Sequence, residues 1–208
     1  KPANHMDQFS YSASAQKVIF ASGALEQLAG AVDLFGWRRL LLCASPSQGR
    51  TGALAISLRV LGDRCVAVIA DVQAHVQAAQ VESTLALAKS HDVDAIIGFG
   101  GGSAVGLAKA VSLACEPAAD AVEASRSVSP GRQAGIPNLA IPTTYAGSEM
   151  TPVVGVTRIE AGGPRKVTVN DPRIVPRLVL YDPLLTLTLP PAVTAATGIN
   201  ALAHAVEA

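Results

Sequence analysis

The segment GFGGGS, residues 98–103, places bare glycine backbone between an apolar run and a helical pattern. Glycine loses more conformational freedom on folding than other residues and packs nothing, so Gly100, Gly101 and Gly102 need another reason to be there. At the carboxyl end of a parallel strand, bare main chain lets an anion reach backbone amides, and the following helix N-terminus adds partial positive charge. The segment therefore predicts a phosphate-binding loop, in which Ser103 adds a hydroxyl or caps the helix.

This glycine loop is a weak signal when taken alone. It lacks the Gly-Lys-Ser/Thr ending of a Walker loop, and it does not stand after the first strand, where the GxGxxG fingerprint is usual. A tight strand-to-helix turn that binds nothing stays open as the alternative.

A second polar segment, IPTTYAGSEMTP at residues 141–152, supplies hydroxyls at Thr143, Thr144 and Ser148. It too follows a short apolar run that is expected to form a strand. Loops of hydroxyls and glycines at two strand ends suit a ligand that carries phosphate and ribose groups. The alternative is an ordinary polar turn whose hydroxyls cap a helix.

Short β-rich runs alternate with amphipathic stretches, which indicates βαβ units and a parallel sheet. Two further runs flank EAGGP and favour a β-hairpin. The predicted strands are Lys17–Phe20, Arg39–Cys43, Cys65–Ile69, Asp94–Phe99, Asn138–Ile141 and Leu178–Tyr181, with hairpin strands Val153–Ile159 and Lys166–Val169. The predicted helices are Gly23–Phe35, Gly52–Leu61, Val76–Ser90, Ala104–Ala114 and Pro191–Glu207, the third with a core face of Val76, Ala79, Leu85 and Leu87.

Composition excludes several classes of function. Half of the 208 residues are hydrophobic and 15% are charged, with 16 Lys+Arg against 16 Asp+Glu. No basic stripe suits nucleic acid, and no apolar run approaches the roughly 20 residues of a membrane span. Cys43, Cys65 and Cys115 are odd in number and lie in apolar surroundings, which favours buried, reduced thiols in a cytoplasmic protein.

The chain divides into three parts. Residues 1–5 have the character of a cloning remnant before Met6 and are left out of the fold prediction. Residues 6–182 carry the strand–helix alternation, and residues 183–208 are expected to be a linker and the first helix of a truncated helical domain. That helical pattern runs to the last residue without a capping signal, which predicts a fragment.

Four stretches taken together resemble the iron-containing alcohol dehydrogenase superfamily, and within it the maleylacetate reductases. They are GFGGGS…AKA, IPTTYAGSEMTP, LYDPLLTLTLPP and TAATGINALAHAVEA, and the resemblance runs from Phe9 to Ala208. It implies a Rossmann-like, dehydroquinate synthase-like parallel-sheet domain that binds a dinucleotide, followed by an all-helical domain. The active site of the family lies between the two domains.

The resemblance also implies how Asn200 and His204 function. In metal-dependent members an Asp and a His four residues apart hold a divalent metal with two later His. Here Asn200 replaces the Asp, as in maleylacetate reductases, and Gly106 replaces a second Asp that follows the glycine loop. A neutral amide oxygen is a poor substitute for a carboxylate on a hard dication. We therefore expect no tightly held catalytic metal, with His204 as a weak candidate ligand, and catalytic roles for His204, Asn200 and Tyr145.

The resemblance assigns cofactor binding to Gly100–Ser103, Thr143, Thr144, Ser148 and Ser45. Ser45 stands nearest to the place where many relatives carry an Asp that binds the adenine ribose. A serine does not repel a 2′-phosphate and Arg50 is within a few residues, so both NADH and NADPH are expected as cofactors.

These expectations converge on an NAD(P)H-dependent reductase. Its substrate is expected to be maleylacetate, reduced to 3-oxoadipate in the degradation of aromatic compounds, or a similar oxo-dicarboxylate. The alternatives are a metal-dependent alcohol dehydrogenase of the same superfamily and a cofactor-binding module without catalysis. A homodimer is expected.

Overall fold

The strands form one parallel sheet and one antiparallel hairpin within residues 16–115 and 135–207, the part that this computed structural model describes. The strands are β1 (Lys17–Phe20), β2 (Leu40–Ala44), β3 (Cys65–Ile69), β4 (Ala95–Gly100), β5 (Asn138–Pro142), β6 (Val153–Glu160), β7 (Gly163–Asn170) and β8 (Leu178–Tyr181). The sheet has the order β1-β8-β5-β4-β2-β3, and β6 pairs with β7. The helices are α1 (Leu28–Asp33), α2 (Pro46–Arg50), α3 (Ala53–Leu61), α4 (Ala78–Ser90), α5 (Gly102–Ala114) and α6 (Pro191–Glu207). The predicted α/β class and the hairpin are confirmed.

The centre of the sheet is covered on both faces. Every residue of β2, β4 and β5 is buried, as parallel strands between two helix layers require. Leu40 and Leu42 pack toward the layer that contains α1 and α3, and Leu41 and Cys43 pack toward α4 and α5. The carboxyl ends of these three strands consequently lie side by side at one edge.

Helices α1 and α4 begin two or more residues later than the sequence predicts, and α3 begins one residue later, at Ala53. A 3₁₀ turn, Ala24–Gln27, occupies the first turns of the expected Gly23–Phe35 helix. The expected start of α4 at Val76 is wrong because the backbone there pairs with the hairpin. The amide of Thr157 donates to the Val76 carbonyl at 2.8 Å, and Gln77 forms a bridge with Thr157.

The core face of α4 also differs from the prediction. Val76 is buried as predicted but precedes the helix, Ala79 is exposed, and Leu85 and Leu87 are half-buried. The buried face has smaller side chains because it packs against α5 and its neighbours; it consists of Val81, Thr84 and Ala88.

Strand β4 and helix α5 pack unusually closely at Gly98. A Cβ on Gly98 would lie 2.8 Å from the Ala104 carbonyl oxygen and 2.8 Å from the Val105 Cα. Both are backbone atoms, so a side chain could enter only if the helix moved. This glycine therefore fixes the distance between the sheet and the helix that follows the glycine loop.

Asp182 fixes the chain where it leaves β8. Its buried carboxylate accepts hydrogen bonds from the amides of Gly23, Leu25 and Leu184 at 3.0–3.1 Å. The following 3₁₀ turn leads to α6, on which Ile199, Leu202 and Val206 are exposed. The predicted remnant at residues 1–5 lies outside the described residues. None of the described helices is both long and apolar enough to span a membrane.

Candidate cofactor-binding site

The glycine loop joins the buried end of β4 to the N-terminus of α5. Gly100 ends the strand with φ +145°, a conformation that side chains rarely adopt, and Gly101 precedes the first residue of the helix. A Cβ on Gly100 would overlap Ser45 Oγ, and one on Gly101 would lie 3.2 Å from Thr144 Cγ2. Gly100 is therefore required by its backbone conformation and by Ser45, whereas Gly101 has an ordinary φ of −80° and lies tightly against Thr144. Gly102 is different, because it is exposed and its nearest contact would be 3.9 Å away, at Ala146 Cβ.

The start of α5 presents amides that the helix itself does not use. The first N–H groups of a helix have no intrahelical partner, and the helix dipole adds partial positive charge there. Helix α5 begins at Gly102, two residues earlier than predicted, so Ser103 lies inside its first turn. A capping role for Ser103 is therefore wrong, since Gly101 occupies the cap. The half-buried Ser103 keeps the other predicted role, a hydroxyl beside the amides.

Ser45 lies against the glycine loop. Its amide donates to the Phe99 carbonyl at 2.9 Å, and its side chain fills the space that a Cβ of Gly100 would need. Ser45 also precedes α2, a short helix that the sequence did not predict. The structure thus brings Ser45 and the glycine loop together at the ends of neighbouring strands.

Thr143 connects residues 141–152, called the hydroxyl segment from here on, to this edge. Its amide donates to the Gly100 carbonyl at 2.9 Å. Its buried Oγ1 accepts from Nε2 of Gln48 at 3.2 Å, and the same Nε2 donates to Ser47 Oγ. The sequence did not predict a role for Gln48. The available signal was an amide side chain about one turn after Ser45.

The remaining residues of the hydroxyl segment differ in their surroundings. Thr144 flanks Gly101, and Ser148 begins a 3₁₀ turn, Ser148–Met150, with its side chain half-buried. Tyr145 is 40% exposed and makes no hydrogen bond within the described residues. Its predicted place near a nicotinamide or a substrate stays a prediction.

Helix α6 contacts the hydroxyl segment through Asn200 and His204, which lie four residues apart. Asn200 Nδ2 donates to the Ala146 carbonyl at 2.8 Å. Gly147 has φ +74°, and a Cβ there would lie 3.5 Å from His204 Cδ2. Both α6 side chains are exposed. Asn200 and His204 therefore lie at the tip of the hydroxyl segment, on the side away from the core.

The donors that Asn200 and His204 contribute from α6 include no carboxylate. The amide of Asn200 offers only a neutral oxygen, and the imidazole of His204 is the other donor on this face. No group of three His, Cys, Asp or Glu side chains in the described ranges lies close enough to hold a metal ion. At the second position where metal-dependent relatives carry an Asp, a Cβ on Gly106 would lie 2.7 Å from Val76 Cγ2.

Buried charge lies directly behind the hydroxyl segment. Lys109 on α5 is completely buried, and burial lowers the pKa of its ammonium to about 8, against the opposing effect of Glu149. The Tyr181 hydroxyl donates to Glu149 Oε1 at 2.9 Å, and burial together with that carboxylate raises the pKa of the phenol. Lys109 was also missed in the sequence. The available signal was a single lysine in the otherwise apolar helical run AVGLAKAVSLA.

Burial raises the pKa of all three cysteine thiols. All three are unpaired, and burial raises the pKa of the Cys43 thiol to about 12. A thiol with so high a pKa is not a nucleophile near neutral pH.

The sheet, the glycine loop and the adjoining hydroxyl segment define a Rossmann-like α/β domain of the nucleotide-binding class. A sequence profile of the iron-containing alcohol dehydrogenases matches residues 15–183. Maleylacetate reductases from Sphingobium indicum and Burkholderia cepacia are 38% and 37% identical to the chain over 200 and 202 residues, or 96% and 97% of its length. The chain belongs to the iron-containing alcohol dehydrogenase family, a family of oxidoreductases. It spans about half the length of these curated relatives, 49% and 50%.

Solved structures show the same fold. A maleylacetate reductase from Rhizobium sp. is 32% identical with a TM-score of 0.79, covering 97% of this chain and 51% of that one. An NADH-dependent butanol dehydrogenase from Thermotoga maritima is 25% identical with a TM-score of 0.84, covering 98% of this chain and 51% of that one. These comparisons confirm the predicted fold and family. The role of each site residue stays a prediction.

Proposed function

We propose that the full-length protein is an NAD(P)H-dependent reductase of maleylacetate or a similar unsaturated oxo-dicarboxylate. The observation that carries this choice within the family is the hydrogen bond from Asn200 Nδ2 to the Ala146 carbonyl. A carboxylate at this position has no hydrogen to donate, and its charge would face a carbonyl oxygen. The chain therefore uses as a hydrogen-bond donor the position that metal-dependent relatives use as a metal ligand. The resemblance to maleylacetate reductases supports the substrate class.

The residues of this chain would bind the cofactor and fix its orientation. Amides at the start of α5 would take the pyrophosphate, with Gly102 leaving the approach open and Thr144 and Ser148 at its side. The nicotinamide, when bound, supplies a hydride. In the reduction of a double bond conjugated to a carbonyl, the hydride adds to the β carbon, the electron pair shifts to the carbonyl oxygen, and the α carbon then takes a proton. Donors such as the exposed imidazole of His204 can stabilise the developing oxyanion.

The second candidate is a metal-dependent alcohol dehydrogenase. The family profile and the similarity to a butanol dehydrogenase favour it. The two candidates differ in substrate. Purified full-length protein should oxidise NADH or NADPH when maleylacetate is added, and should reduce NAD⁺ or NADP⁺ only slowly with primary alcohols. Fast alcohol oxidation without maleylacetate turnover would reverse the order of the candidates.

Chelation should leave turnover almost unchanged. Dialysis against EDTA is expected to change kcat with maleylacetate by no more than about twofold, or about 0.4 kcal/mol in the barrier. The reason is that Asn200 lacks the charge that holds a hard dication. The control is dialysis against EDTA already saturated with zinc, and elemental analysis confirms removal. Loss of most activity, restored by zinc or ferrous iron, contradicts the prediction.

The choice between NADH and NADPH should respond to Ser45. Ser45→Asp is expected to shift the ratio of the two dissociation constants toward NADH by about fivefold, or about 1 kcal/mol, because a carboxylate repels a 2′-phosphate. Cofactor fluorescence measures both constants, and Ser83→Asp on the exposed side of α4 controls for added charge. Because Ser45 lies against Gly100, equal weakening of both cofactors would instead place it beside the pyrophosphate.

A further inference from the structure

Lys109 is a buried cation whose partners all belong to one short segment. Its Nζ donates to the carbonyl oxygens of Ser148, of Thr151 at 2.6 Å and of Val153 at 3.0 Å. An ammonium group has three hydrogens, so these carbonyls use its whole donor capacity. These carbonyls lie where the hydroxyl segment, which contains Thr143, Thr144 and Ser148, joins strand β6 of the hairpin.

Packing alone does not explain a charge at this position. A methionine or leucine would fill similar space in an apolar helix without the cost of removing an ammonium from water. Among the described residues Glu149 does not lie within ion-pair distance of Lys109; its carboxylate accepts a hydrogen bond from Tyr181 and acts on Lys109 only through its charge. What the charge provides is a link between α5 and the main chain of the segment.

The geometry of α5 shows what this link would align. Lys109 lies about two helical turns from Gly102, so one rigid helix carries both the phosphate-binding amides and the anchor. The segment is held from the other side as well, because Tyr181 bonds the Glu149 carboxylate and Gln16 Nε2 donates to the Glu149 carbonyl at 2.9 Å.

We propose that Lys109 is a positioning residue of the cofactor site. By anchoring the carbonyls of Ser148, Thr151 and Val153, it holds the hydroxyls of the hydroxyl segment beside the amides of α5. The inference rests on the proposed function, because the site must bind a nicotinamide cofactor for the alignment to matter. It assigns no contact between Lys109 and the cofactor.

The anchor should weaken when Lys109 loses its proton. A neutral amine donates only two hydrogens and turns a lone pair toward the third carbonyl. Burial lowers the pKa of Lys109 to about 8 and Glu149 raises it. The raised pKa of Tyr181 keeps that phenol neutral over the same range. Asp171 and Arg173, from the 3₁₀ turn that also packs on α5, pair with each other at 2.6 Å. NADH affinity is therefore expected to fall as the pH rises through about 8.

The test compares NADH binding of full-length Lys109→Met with wild type at pH values on both sides of the pKa of Lys109. We expect Lys109→Met to raise the dissociation constant about tenfold below that pKa, because the site is no longer preorganised, and to remove the pH dependence. Lys89→Met, at an exposed position of α4, is the matched control and should bind as wild type does. Wild-type affinity in Lys109→Met, or an unchanged pH dependence, overturns the inference.

A second variant keeps the test decisive if Lys109→Met does not fold. Glu149→Gln removes the negative charge that raises the pKa of Lys109 but keeps Lys109 and its carbonyl partners. The fall in NADH affinity should therefore begin at a lower pH in Glu149→Gln than in wild type. A midpoint that does not move, or a flat wild-type profile, contradicts the inference. Wild-type protein that binds neither NADH nor NADPH at any pH contradicts the proposed function instead.

Discussion

Gly102→Val should weaken NADH binding by about thirtyfold, or about 2 kcal/mol, while the protein stays as stable as wild type. Gly102 is exposed, its φ is not in the left-handed region, and an added Cβ would find only Ala146 Cβ, at 3.9 Å. The chain therefore tolerates the side chain. A phosphate that must approach the first amides of α5 does not, because the branched side chain occupies its path. Titration of cofactor fluorescence measures the affinity, and thermal unfolding measures the stability.

Gly30→Val is the matched control for this substitution. Gly30 is an exposed glycine of α1, and a Cβ there has no neighbour within 4 Å. The control should bind NADH as wild type does. Undiminished binding by a folded Gly102→Val protein would remove the glycine loop from the cofactor site.

Gly98→Val should have the opposite profile and lower the free energy of unfolding by about 3 kcal/mol. Its Cβ would lie 2.8 Å from two backbone positions of α5, at Ala104 and Val105. No rotamer of a neighbouring side chain can relieve that overlap, so either the helix or the fully buried strand β4 must move. The loss should appear as a lower urea midpoint with an unchanged slope.

Gly30→Val serves here too, because it adds the same side chain to open space. Gly98→Val and Gly102→Val thus separate two roles of neighbouring glycines, close packing and ligand access. A Gly98→Val protein as stable as wild type would mean that β4 and α5 do not pack as closely as described.

The sequence was sufficient for the parallel sheet because buried strands and amphipathic helices leave strong local patterns. It placed β1, β3, β8 and α6 at their observed bounds and the other predicted strands within a few residues. It missed the short helix α2, whose Pro46 and following polar residues also suit a turn. It misplaced the start of α4, because Val76 bonds a hairpin residue 81 positions along the chain. No local pattern reports a partner so far away.

The candidate site shows the same division. Glycines and hydroxyls at strand ends were readable as ligand-binding loops, and the structure brings Ser45, Gly100, Gly101 and Thr144 together. The donors that organise those loops were not readable. Gln48 lies among polar residues, as a solvated side chain would, and a lone lysine in an apolar helix does not identify its partners. Only the tertiary fold shows that both side chains are buried.

Hydrogen–deuterium exchange with and without saturating NADH tests the central claim, that the glycine loop and the hydroxyl segment form the cofactor site. In the full-length protein, exchange should slow in peptides covering residues 98–104 and 143–150. It should stay unchanged at the hairpin turn, residues 160–164, and in α1. If NADH fluorescence shows binding but exchange in both loops stays as fast as in the free protein, the account is contradicted.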